Sequence, residues 1–262
     1  MRVRRLLQPR IRSLVDRIVD GCARLEGGSG DVHDLRTDCR RLRSILSAYA
    51  PMLKASPARR VDRDLQRLMA MLGVCRDAEV ARDLLEALDP DGRDELDALE
   101  AAFAGALAQL RSWLVSPEGR HATERLRAYA ANVPWTHHAE RPAKRAVART
   151  LDHERRRIRR RAHRARHTHP GDTQDRRLHA VRRAVKQAND ASAVASLARS
   201  QRRLSKEWRE AQDVLGRHHD LVMLRAELRR YEADEQVHLE AVNAEAEAAH
   251  ADAMRTVRSL GR

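Results

Sequence analysis

Aromatic side chains are nearly missing from this chain: one Phe, three Trp and three Tyr among 262 residues. Readers of single-stranded nucleic acid stack bases on aromatic platforms, so the shortage argues against that class. Cysteine is limited to Cys22, Cys39 and Cys75, an odd and scattered set without a CxxC pair. That excludes a disulfide framework and points to a reducing compartment. Glycine (11) and proline (8) are sparse, and β-branched or aromatic runs do not occur. No run of about 18 apolar residues exists, so no membrane-spanning helix is expected. The opening "MRVRRLLQPRIRSLVDRIVDG" is basic but lacks a continuous apolar stretch, so no secretory signal is expected either. These absences together describe a cytosolic protein without a membrane partner. No Gly-rich phosphate loop and no Ser or Cys nucleophile motif occurs, so the expectation is a non-enzyme without catalytic residues or cofactors.

Lysine is also scarce. Only Lys54, Lys144, Lys186 and Lys206 stand among the 52 basic residues. The rest are arginines, whose planar fork of donors matches phosphate oxygens and stays charged at any working pH. The formal net charge is +14. Its placement is uneven: residues 144–186 hold 16 Lys and Arg against 4 Asp and Glu. A field this lopsided attracts a polyanion to one region.

Ala, Leu, Arg and Glu dominate, which predicts an all-α chain. Breakers divide it. "EGGSGD" (26–31) separates the first two helices, and Pro51 should kink or end the second. "SPAR" (56–59) opens a third, with Pro57 near its start. "LG" at 72–73 and "DPDG" at 89–92 should end two elements, and "SPEG" (116–119) should start another. "NVPWTHHAERP" (132–142) is irregular, "HTHPGDTQD" (167–175) breaks the second half, and Gly216 should be the last strong breaker.

The second helix carries the clearest period. Leu35, Cys39, Leu42, Leu46, Tyr49 and Leu53 form a heptad-like core seam. His33, Arg36, Arg40 and Arg43 fall on one flank of that seam, within roughly 80° of each other at about 100° per residue. Arg41 falls on the far side. A basic stripe bordering a packed seam faces a groove between helices, whereas a solvated face usually lies opposite the core. The helix that includes residues 154–167, "ERRRIRRRAHRARH", has a core side of Val147, Leu151, Ile158, Ala162 and Ala165, so several of its arginines must face water.

The stripe recurs. "VHDLRTDCRRLR" (32–43) aligns with "LHAVRRAVKQAN" (178–189), pairing His33 with His179, Arg36 with Arg182 and Arg40 with Lys186. Downstream, "LGVCRD" (72–77) pairs with "LGRHHD" (215–220) at nearly the same offset. Two ordered strings indicate an internal duplication. Asp77 and Asp220, each after a helix-ending glycine, are expected to cap the next helix. The histidine heading each stripe is open to two roles: packing or capping at a helix start, or contacting phosphate.

The His-x-x-Arg-x-x-x-Arg/Lys helix, its second copy and the Leu-Gly-x-x-[Arg/His]-Asp string resemble the CHAD family, the conserved histidine α-helical domain. The resemblance covers roughly Arg5 to Leu260. It implies one domain, 1–262, of two helical bundles of about four helices each. A pseudo-twofold axis relates its half-repeats, 1–133 and 134–262, around a basic central groove or pore. It implies binding of inorganic polyphosphate, association with polyphosphate granules and no catalysis. The family's basic positions carry over to His33, Arg36, Arg40, Arg41 and Arg43, and to His179, Arg182 and Lys186. Gln187 and Asn189 stand where the second copy usually has bases, and Arg183 with the arginines of 154–167 is available to compensate. The Glu-x-Glu-x-Lys strand of a CYTH-type triphosphate tunnel is absent from the sequence, so a stand-alone member is expected.

Two other classes deserve weighing. The same charge would serve a general binder of nucleic-acid backbone. Glu-x-x-His occurs at Glu118/His121, Glu235/His238 and Glu247/His250, the ligand spacing of di-iron helical bundles. Glu118 fits better as a first-turn acid favoured by the helix dipole, and the other two pairs lie in a polar, Ala-rich tail. No metal site is expected from the sequence.

Overall fold

A computed structural model describes residues 1–88, 93–194, 199–228 and 236–261. Among these run α1 (Val3–Glu26), α2 (Val32–Ala48), α3 (Ala55–Leu88), α4 (Arg93–Val115), α5 (Pro117–Ala131), α6 (Ala143–Arg166), α7 (Asp172–Ser192), α8 (Arg199–Leu228) and α9 (Gln236–Leu260). Two short 3-10 turns, Ala50–Met52 and His137–Glu140, complete the described elements. The chain is all-α, as its composition dictates.

Several helix ends follow from local chemistry. The Asp31 carboxylate accepts a hydrogen bond from the Asp34 amide at 3.1 Å and caps α2. Ser116 does the same for α5 through the Gly119 amide at 3.2 Å, with Pro117 in the first turn. Gly28 and Gly171 sit at φ values of 86° and 119°, a region that favours glycine, in the turns before α2 and α7. α2 ends at Ala48, and Pro51 lies in the 3-10 turn that follows. "DPDG" (89–92) lies outside the described residues.

Two expected breaks do not occur. Gly73 lies inside α3 and Gly216 inside α8. Asp77 and Asp220 are therefore helix-interior residues rather than caps. An interior glycine costs a helix only about 1 kcal/mol relative to alanine. The buried neighbours Leu72 and Cys75 around the first, and Leu215 and Leu221 around the second, outweigh it. The C-terminal stretch is also more than a polar tail. α9 buries Val242, Ala246, Ala249, Ala253 and Val257 along one side.

The chain forms two compact units. Unit 1 comprises Met1–Arg76, Ala104–Asp152 and Asp190–Gln201; unit 2 comprises Asp77–Phe103, His153–Asn189 and Arg202–Arg262. Each unit is drawn from three separate stretches of the chain. Helices α3, α4, α6, α7 and α8 each contribute residues to both.

In unit 1, α1 packs on α2 and α5. Leu7, Ile11, Val15, Ile18 and Cys22 recur at helical spacing and are buried. The α2 seam of Leu35, Cys39, Leu42, Leu46, Tyr49 and Leu53 is buried throughout. Each such aliphatic side chain removed from water contributes about 1.5–3 kcal/mol. The Tyr49 hydroxyl donates to the Ala191 carbonyl at 3.2 Å, so this buried polar group is satisfied. Unit 2 has a core cluster of Ala81, Leu85, Leu99, Leu224 and Val242 and a second of Leu221, Ala246 and Ala249. There α7 buries Leu178, Val181, Ala184, Val185 and Ala188.

Candidate functional site

The α2 stripe lies beside the seam, where helical geometry puts it. His33 is exposed in the first turn, and Asp31 rather than His33 is the cap. Arg36 is half-buried and lays its guanidinium against Gly73 of α3. Arg40 donates through Nε to Asp190 Oδ2 at 3.2 Å, and the Ser44 hydroxyl reaches the same oxygen at 2.9 Å. Arg43 donates through Nε to Asp62 Oδ1 at 2.7 Å and lies 3.8 Å from the Met69 sulfur. Arg41 is exposed and turns away from these three. It pairs at 3.4 Å with Asp38, which Arg17 clamps with two bonds of 2.8 and 2.9 Å.

The α7 stripe is built differently. His179 Nδ1 meets His219 Nδ1 of α8 at 3.1 Å, so one ring donates and the other accepts. Burial first, then Arg182, His179 and Lys186, push the His219 imidazole down to about 2. That ring is neutral at working pH, chiefly because it is buried and secondarily because cations stand near it. Arg182 Nη2 lies 3.4 Å from Asp220 Oδ1. Lys186 is half-buried and Arg183 exposed.

The departures from the first copy have a local cause. Gln187 donates to Glu154 Oε1 at 3.2 Å, and Asn189 donates to Gln212 Oε1 at 3.1 Å. Both amides are half-buried and engaged in these separate contacts. Glu154 is buried, and burial raises its carboxyl against the pull of Arg157, 3.3 Å away.

Helix α6 divides its arginines as its core side requires. Arg155, Arg156, Arg159, Arg160 and Arg164 are exposed. Arg161 turns inward and donates to the Ala180 carbonyl at 2.8 Å. Burial, then Arg157 and Arg183, lower its pKa.

The two Glu-x-x-His pairs among the described residues do not behave as ligand pairs. Glu118 pairs with Arg67, and His121 Nδ1 turns back to the Pro117 carbonyl at 2.5 Å. The side chains of Glu235 and His238 lie outside the described set. Glu247 is exposed, while His250 faces Asp175 and His218.

Two contributors were not singled out from sequence. Asp190 supplies the counter-charge to Arg40, and no local pattern announces it. His219 occupies the Arg-or-His slot of the second downstream string, so that string held the signal.

These stripes present guanidinium forks and imidazoles, the donors that suit phosphate oxygens. A family model described as the CHAD domain matches residues 9–229. The chain belongs to the CHAD family. Two solved structures share its fold. One is described as PptA from Streptomyces chartreusis, with a TM-score of 0.76 and 15% identity, covering 100% of this chain and 98% of that one. The other is the CHAD domain from the plant Ricinus communis, with a TM-score of 0.67 and 22% identity, covering 97% of this chain and 92% of that one. At these identities the likeness is one of fold. No curated protein matches this CHAD chain in sequence. No helix among the described residues of this CHAD chain is long and apolar enough to cross a membrane.

Proposed function

We propose that this chain binds inorganic polyphosphate through the basic stripes of α2 and α7, without catalysing a reaction on it. The reading rests on the α7 cluster, where Arg182 and Lys186 stand with the paired His179 and His219 along one stripe, and where burial foremost, with these cations adding to it, holds His219 neutral. Cations gathered at such density favour a ligand that brings several negative charges at once. The α2 stripe supports the same reading. Arg40 and Arg43 are held by Asp190 and Asp62, so a phosphate ligand meets pre-oriented donors. CHAD membership and the low aromatic content are consistent with it. Polyphosphate has charge and oxygens but no base to stack. The family's association with polyphosphate granules is the expected setting, in the cytosol.

The deciding experiment is a titration with long-chain polyphosphate in moderate salt, repeated with duplex DNA at matched charge. Polyphosphate should bind far more tightly and displace labelled DNA. Equal affinity for the two would instead make the chain a general phosphate-backbone binder. Arg36→Gln with Arg182→Gln should weaken binding strongly, and Arg59→Gln with Arg60→Gln, at exposed positions early in α3, should not. Equal losses in the two doubles would overturn the assignment to the stripes.

A further inference from the structure

Three side chains in unit 2 converge on a point that phosphate binding does not use. Asp175 stands in the first turn of α7, His218 in α8 and His250 in α9. His218 Nε2 lies 3.4 Å from Asp175 Oδ1 and 3.3 Å from His250 Nδ1. His250 Nδ1 lies 3.7 Å from the same Oδ1. The three atoms form a nearly equilateral triangle.

That triangle has the size of one face of a metal tetrahedron. A tetrahedral ion about 2.1 Å from each ligand holds its ligands about 3.4 Å apart. An octahedral ion with bonds of about 2.1 Å would hold neighbouring ligands closer, at about 3.0 Å. We propose that Asp175, His218 and His250 bind one divalent transition-metal ion, zinc foremost, with a water in the fourth position. Two imidazole nitrogens and one carboxylate oxygen are the donors of a borderline metal and a poor set for calcium or magnesium.

The surroundings suit such a site. Arg225 Nη2 lies 3.9 Å from Asp175 Oδ2, on the carboxylate oxygen that does not face the histidines. An outer contact of this kind fixes the orientation of a ligating carboxylate. The His218 side chain is 4% exposed, whereas those of Asp175 and His250 are 17% and 31% exposed. One ligand is therefore shielded from water while two remain accessible to an incoming ion. A bound ion would tie α7, α8 and α9 together. His219, next to His218, faces His179, so one turn of α8 serves both the metal triad and the phosphate stripe.

The competing arrangement is a plain hydrogen bond from an imidazole N–H to Asp175, with no ion. Calorimetry decides between them. Tag-free, metal-stripped full-length protein is titrated with zinc at pH 7.5, and cobalt is bound in parallel. One equivalent of zinc should bind, and cobalt should give the intense visible bands of a four-coordinate ion. Asp175→Asn and His250→Gln alter the two more accessible ligands. Each should weaken zinc by about 100-fold or more, since outer-shell losses alone cost 10–100-fold. Zinc should raise the melting temperature of the wild type and not of these variants. His163→Ala with His167→Ala removes an exposed pair at the C-terminal end of α6 and the turn after it, and should leave the stoichiometric site intact. No saturable binding would overturn the proposal. So would binding unchanged in Asp175→Asn and His250→Gln, or binding lost with the His163 and His167 pair. Circular dichroism and melting of the metal-free variants separate lost ligands from lost fold.

Discussion

Arg36 and Gly73 share one volume: a Cβ placed on Gly73 would lie 2.7 Å from Nη1 of the Arg36 guanidinium. The glycine that fails to end α3 therefore has a use there. It is the floor on which the first stripe's arginine lies. At the matching place in the second downstream string, Gly216 has nothing within 4 Å of its would-be Cβ.

This contrast predicts two outcomes from one substitution. Gly73→Ala should push Arg36 out of position and weaken polyphosphate binding several-fold. Its helix-propensity gain of about 1 kcal/mol should offset most of the packing cost, so stability changes little. Gly216→Ala meets open space and should add up to about 1 kcal/mol of stability without altering binding. Urea melts and polyphosphate titrations of both variants check this.

Asp190 should matter more to stability than its place near the end of α7 suggests. It holds Arg40 and Ser44 from a side chain only 8% exposed. Asp190→Ala strands a partly buried guanidinium and a hydroxyl. The expected cost is about 1–3 kcal/mol, between the values for exposed and fully buried pairs. Binding of polyphosphate should persist, because the phosphate oxygens replace the lost carboxylate. Denaturant unfolding with and without polyphosphate measures both effects.

The three thiols should be silent in the folded protein. All are buried, and burial pushes Cys22 up to about 12 and Cys39 well above the usual thiol range. Alkylation at pH 8 should fail in buffer and proceed in urea. The pH dependence follows from linkage. An unfolded thiol ionises near pH ~8.5, while folded Cys22 keeps its proton to about 12. The folded state then holds more protons than the unfolded state, so stability falls as pH rises through that window. Melting temperatures from pH 7 to pH 10 test the sign, and Cys22→Ala should flatten the slope.

Binding should fall steeply with salt, because a polyanion is held by many displaced counterions. Arg36→Gln removes one such contact and should lower the slope of log affinity against log salt by about 1. An unchanged slope would mean that Arg36 does not touch the ligand.

Much of this molecule is legible in its sequence, and the illegible parts share a cause. The α2 seam and the basic stripe beside it come from helical period alone, and so does the separation of Arg41 from its neighbours. Helix starts at Asp31 and Ser116 are readable because capping is local. Gly73 and Gly216 misled because tertiary burial around them outweighs a propensity cost of about 1 kcal/mol. Asp190, the counter-ion of Arg40, lies 150 residues away. The triad of Asp175, His218 and His250 is scattered over three helices with no shared spacing. Pairings between distant helices leave no local mark on a single sequence.

The interlaced helices have a consequence for anyone cutting this chain. A protease nick in the irregular stretch 132–142 would divide it near its middle. Yet unit 1 draws Met1–Arg76 from before that point and Asp190–Gln201 from after it. A nicked molecule would run as two bands under denaturing conditions and travel as one particle under native ones. Expressed alone, neither half would be a smaller version of the whole.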